Sequence, residues 1–195
     1  MSHGQDSLGG PPSGAFTVFA GERLLVRGDL AHVARAAHAE AEAQPIVFDD
    51  ATGRVVDLDL RGSAEDAAAR VSPASPRAGR GRPKLGVTAR EVTLLPRHWA
   101  WLATQPGGAS AALRRLVDDA RRLSGGADAA RQAQDAAYRV MTTLGGDRPG
   151  YEEAVRALFA KDASRFASET AAWPPDIVAY VSALASPALG GSPSP

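Results

Sequence analysis

The chain has 195 residues, 44% of them apolar, and no cysteine, which excludes a disulfide framework, a thiolate metal site and a cysteine nucleophile. No apolar run approaches the roughly 20 residues of a membrane span, and Met1 to Gly14 lacks the basic-then-apolar order of a secretion signal. A cytoplasmic globular protein of one or two domains is expected, with no membrane partner.

The net charge of zero conceals a segregation. Residues 1–76 carry 6 basic and 11 acidic side chains, residues 77–122 carry 10 and 3, and residues 123–195 carry 6 and 8. Clustered Lys and Arg supply the sequence-independent part of nucleic-acid affinity, so the middle of the chain suits a polyanion. A basic linker solvated between two folded parts would give the same count.

Taken in order, residues 1–14 are rich in Gly, Ser and Pro and are expected to be disordered. Residues 15–71 read as a small β-β-α-β-β-α module. Phe16, Val18 and Phe19 precede a turn at Gly21-Glu22, and Leu24, Leu25 and Val26 follow it. Asp29 is placed to cap a helix through Ala43 that buries Leu30, Val33, Ala34 and Ala37. A second hairpin joins Ile46-Val47-Phe48 to Val55–Leu60 around Asp50-Ala51-Thr52-Gly53, and Ser63 with Asp66 forms a capping box for a helix to Val71. Asp49, Asp50, Asp57 and Asp59 are oxygen ligands of the kind hard cations take. Their positions, at a turn and on the solvent side of an alternating strand, argue for local hydrogen bonding instead, and no metal site is assigned.

Residues 72–88 change abruptly to Ser, Pro, Arg and Gly and form a basic linker or arm. Within it Arg80-Gly81-Arg82-Pro83 resembles the core of an AT-hook. That resemblance implies an arm lying in a narrow A·T minor groove, where negative potential attracts arginine.

Residues 89–123 carry a strand, Arg90 to Leu95, a helix from Pro96 through Trp99, Trp101 and Leu102, a turn at Pro106-Gly107-Gly108, and a second helix. In that helix Ala112, Leu113, Leu116, Val117 and Ala120 keep the spacing of a face buried on one side. This order resembles the ribbon-helix-helix fold of Arc-type DNA-binding proteins. The resemblance implies a homodimer whose two strands pair as one antiparallel ribbon, with Val92 and Leu94 inward and Glu91, Thr93 and Leu95 towards the DNA groove. Thr93 suits a base contact, and Ser110 suits the N-cap of the second helix. Trp99, spaced i+3 from Leu102, is the expected core tryptophan, and Trp101 the rim one. His98 has no partner spacing for catalysis and receives no role.

After Ser124-Gly125-Gly126, residues 127–185 read as a helical module. Its helices are Ala129–Leu144, Tyr151–Phe159, Ala163–Trp173 and one beginning at Pro174-Pro175-Asp176, with residues 186–195 a disordered tail. The segments Val47–Arg54, Asp59–Ser63, Gly81–Val87 and Leu95–Trp99 make the chain, from about Ala15 to Ala185, similar to a family of bacterial proteins known only as a domain of unknown function.

The fold class expected is therefore α+β: an N-terminal β-β-α-β-β-α module, a central ribbon-helix-helix-like segment and C-terminal helices. The functional expectation is a dimeric protein binding double-stranded DNA, either a transcriptional regulator or a nucleoid-associated factor. Arg80, Arg82, Lys84, Arg90, Thr93, Arg97 and Ser110 are its contact or positioning residues. The alternative is a scaffold that uses the same paired fold only for assembly. No nucleophile-base pair, phosphate loop or metal-ligand spacing marks an enzyme, and no cofactor is expected.

Overall fold

Short apolar runs separated by Gly-containing turns build a four-stranded antiparallel sheet. The computed structural model describes residues 14–72 and 90–190. Phe16–Ala20 (β1) and Arg23–Gly28 (β2) form one hairpin, and Ile46–Asp49 (β3) and Arg54–Val56 (β4) form the other. β1 also pairs with β3, giving the order β2-β1-β3-β4. Leu30–Ala39 (α1) lies between the hairpins and Ala64–Val71 (α2) follows them, as the alternation of apolar periods predicts.

The caps form as read. Asp29 accepts a hydrogen bond from the His32 backbone N–H at 2.8 Å, and Ser63 and Asp66 close the capping box of α2. Two boundaries differ. α1 ends at Ala39, and Ala41–Ala43 continues as a 3-10 turn. β4 stops at Val56 instead of reaching Leu60, because β3 begins only at Ile46, directly after Pro45, and the ladder runs out.

A bulge between Val18 and Phe19 and the alternation of strand side chains divide the sheet's apolar residues between two faces. Val18, Val33, Ala37 and Val47 form one cluster, with Leu58 and Leu60 packed against it. Phe19 and Phe48 enter the other, with Met141, Leu158, Phe166 and Ile177. Each of these phenylalanines contributes about 1.5–3 kcal/mol by leaving water.

The helices of the second half are Pro96–Ala103 (α3), Gly108–Gly145 (α4), Tyr151–Ala160 (α5), Ala163–Thr170 (α6) and Pro175–Ala185 (α7). Proline opens α3 and α7, where its missing N–H costs nothing. The expected break at Gly125-Gly126 is absent, and α4 runs through it. Glycine inside a helix costs only about 1 kcal/mol, which the surrounding helix-formers offset. Nor does the chain loosen directly after Ala185. The backbone N–H groups of Ala188 and Leu189 both donate to the Ala185 carbonyl, and Ala188 is buried.

The chain divides into two units, Met1–Pro73 with Ala127–Pro195, and Ala74–Gly126. The sequence divides residues 15–71 and 127–185 into separate modules. In the structure Phe19 and Phe48 of the sheet share one core with Val140 and Met141 of α4 and with α5, α6 and α7.

Candidate functional site

The segment chosen from the sequence as a DNA-contacting ribbon is not a strand here: residues 90–95 have no regular structure. A strand must satisfy its backbone donors and acceptors through a neighbour, and the described residues pair none with it. The inward and outward alternation is accordingly absent. Val92 is exposed and Leu94 half-buried. Arg90, Thr93 and Arg97 are exposed on one stretch leading into α3.

Ser110 does not cap the second helix. Gly107 and Gly108, with φ of 80° and 74°, turn the chain before it, α4 begins at Gly108, and Ser110 stands exposed within the first turn. Arg80, Arg82 and Lys84, with the AT-hook-like motif, lie outside the described residues, as do residues 1–13 and 191–195.

The apolar side chains around this segment are largely uncovered. Leu102 on α3 and Ala112 on α4 are buried, and Leu113 is half-buried. Trp99 and Trp101 remain 42% and 50% exposed, which corrects the placement of Trp99 in a core. Trp99 shares a helical face with Leu102, but the described residues that cover Leu102 do not reach one turn back over the tryptophan. Leu116, Val117 and Leu123 continue the exposed series along α4, so the face expected to be buried there is covered only at its start.

The acidic residues of the second hairpin do not converge. Asp49 accepts from the Ala51 N–H at 2.9 Å within the turn. Asp59 is held by Arg61 and Arg70, and the Arg61 hydrogen bonds keep its carboxyl well below the usual carboxylate range. Asp57 is exposed. Among the described residues no group of three or more His, Asp or Glu is placed to hold a metal ion.

Asp50 departs from the turn role read for it. It is buried, accepting from Arg27 Nε at 2.6 Å and from the Tyr180 hydroxyl at 2.7 Å. Burial first, then the Asp50 charge, pushes the Tyr180 phenol far above its ordinary value. Thr17, also buried, lies beside the Tyr180 hydroxyl. The turn itself is clamped from α4. Arg139 Nη1 donates to the Thr52 carbonyl at 2.7 Å, and Gly53 has a φ of 65° and lies so close to α4 that a Cβ there would fall 2.2 Å from the Ala136 carbonyl oxygen.

The motif Val47–Arg54 is thus a fixed joint between sheet and helices. Sequence reading did not find Arg27, Arg139 or Tyr180. Their partners lie 23 to 130 positions away, and no local spacing announces such a pairing.

Sheet, clamped turn and helices define a mixed α+β protein. Residues 15–185 match the model of the DUF2239 family, described as an uncharacterized protein conserved in bacteria, and the chain belongs to that family. No curated protein and no solved structure matches it. Among the described residues, no helix is long and apolar enough to cross a membrane.

Proposed function

We propose that the protein is a homodimeric DNA-binding protein, acting as a transcriptional regulator or nucleoid-associated factor, with residues 90–123 as its assembly segment and residues 77–97 as its basic contact. One observation carries the assembly half. Seven large apolar side chains, from Val92 to Leu123, stay exposed on a segment whose buried residues are only Leu102 and Ala112. Large apolar side chains exposed in this number favour a partner surface, and a second copy's residues 90–95 would also supply the backbone partners that a ribbon needs. The charge segregation supports the DNA half. Residues 77–122 carry 10 basic against 3 acidic side chains, and Arg90 and Arg97 have no carboxylate partner among the described residues.

The scaffold reading draws on a different observation. Glu91 and Leu95 are exposed where a groove-facing ribbon favours polar or basic side chains, and they suit a protein surface as well as a duplex.

Duplex binding at two salt concentrations separates the readings. The DNA reading expects affinity to fall steeply with salt, and loss of Arg80 and Arg82 together to flatten the log-log slope by about 0.9 per phosphate contact removed. Thr93→Ala should leave non-specific affinity intact while eroding discrimination between sites by about 1 kcal/mol. A dimer that ignores duplex at low salt favours the scaffold.

A further inference from the structure

The sheet-and-helix unit holds eleven arginines among its described residues, and nine of them lie within ion-pair distance of a carboxylate. The two that do not are Arg54 and Arg139, and both line the same groove. It is an open cleft of about 560 Å³ beside the β3–β4 turn, walled by Val55 from the sheet and by Tyr138, Thr142 and Thr143 from α4.

The clamp described above holds the Arg139 guanidinium and the backbone at Arg54, whose side chain is exposed beside it. Gly53 seats the turn against Ala136, which fixes the residue after it, and Arg139 is anchored through one nitrogen to the Thr52 carbonyl. Arg139 is half-buried, and its remaining N–H groups meet no acceptor among the described residues. A partly desolvated guanidinium without counter-charge is unfavourable, and an anion in the cleft removes that penalty. The threonine hydroxyls do not compete for this role. Thr142 and Thr143 donate to the carbonyls of Tyr138 and Arg139, so the guanidiniums supply the free donors.

The rest of the lining is apolar. Val55 stands opposite Phe48 in the ladder yet is 54% exposed, because the core that covers Phe48 does not extend over it. The Tyr138 ring, also exposed, is braced edge-on by Phe159 at 5.7 Å between centroids.

We propose that this cleft binds a small organic phosphate monoester, its phosphate between Arg54 and Arg139 and its apolar body against Val55 and Tyr138. A phosphate dianion matches two guanidiniums in charge and in their forked donor geometry, and a carboxylate carries half that charge. The site is independent of any DNA contact by residues 77–97.

Isothermal titration of the full chain with phenyl phosphate, inorganic phosphate and benzoate tests it. Phenyl phosphate should bind at least about tenfold tighter than either of the others, and Arg54→Met should weaken it about tenfold. Arg139→Met also removes the Thr52 anchor, so Arg139→Lys, which keeps the charge and a donor, should retain more of the affinity than Arg139→Met. Three results would overturn the proposal: no heat from phenyl phosphate at millimolar concentration, equal affinity for phenyl and inorganic phosphate, or unchanged binding in an Arg54→Met protein of native circular dichroism. Loss of duplex binding in Arg54→Met with phenyl phosphate unaffected would overturn it as well.

Discussion

Phe19, Phe48 and Phe166 of the sheet-and-helix unit have lost nearly all their contact with solvent, whereas Trp99, Trp101 and Leu123 in residues 74–126 keep 42%, 50% and 89% of theirs. The charges divide in the same way. Nearly every arginine of the first unit is ion-paired, while Arg122, which bonds Asp119, is alone in this among the arginines of residues 90–122. A unit most of whose apolar and charged groups meet each other within the chain is closed by itself, apart from the cleft at Arg54 and Arg139. One that leaves aromatic rings and cations on its surface is suited to partners outside the chain, as the proposed assembly and DNA contact require.

The strongest way to break this contrast is to open the closed unit. Phe48→Ala should lower its stability by about 3–5 kcal/mol, through lost burial and the cavity left among Phe19, Met141 and Tyr180. Asp50→Ala comes next, at about 3 kcal/mol, since it strands a largely buried Arg27 and the Tyr180 hydroxyl without their acceptor. Urea unfolding measures both. A loss below about 1 kcal/mol in either protein would mean that the joint is looser than its geometry.

The dependence of stability on pH sharpens the same contrast. The carboxyls of Asp59, Asp66 and Glu65 are held below their ordinary range by hydrogen bonds from Arg61, Ser63 and Arg35 respectively. Groups depressed in the folded state add stability above the unfolded pKa and lose it as pH falls, so the urea midpoint should drop below about pH 4. Tyr180 has the opposite sign. Its phenol is raised by burial, so its neutral form is favoured in the fold and stability should fall as pH climbs past about 10. A midpoint unchanged from pH 7 to pH 3 would contradict the first half.

Trp101→Ala should have the smallest effect on the closed unit, within about 0.5 kcal/mol, because the ring is half exposed. Its influence should appear instead as a raised dimer dissociation constant. Destabilised urea unfolding with unaltered association would reverse the reading of that surface.

What the sequence made legible follows from how local each cause is. The two hairpins, the caps at Asp29 and Ser63, and the proline-started helices rest on neighbours a few positions apart, and they formed. The continuity of α4 was not legible, because Gly125-Gly126 reads as punctuation unless the surrounding helix is counted against it. Nor was the burial of Asp50, whose turn-like neighbours conceal a partner 130 positions away. The segment from Arg90 to Leu95 failed as a strand for another reason. Alternation indicates which side chains could share a face, but a ladder also needs a neighbouring strand, and none in the described chain pairs with it.

Sedimentation equilibrium of the full chain at micromolar concentration tests the central claim, that the apolar side chains of residues 92–123 meet a second copy of this chain. A species of twice the chain mass is expected, converted to monomer by Leu113→Asp, which places a charge among those side chains while the sheet-and-helix unit keeps its cooperative unfolding. A wild-type monomer at that concentration, with α3 and α4 formed and Trp99 and Trp101 still open to solvent, would contradict it.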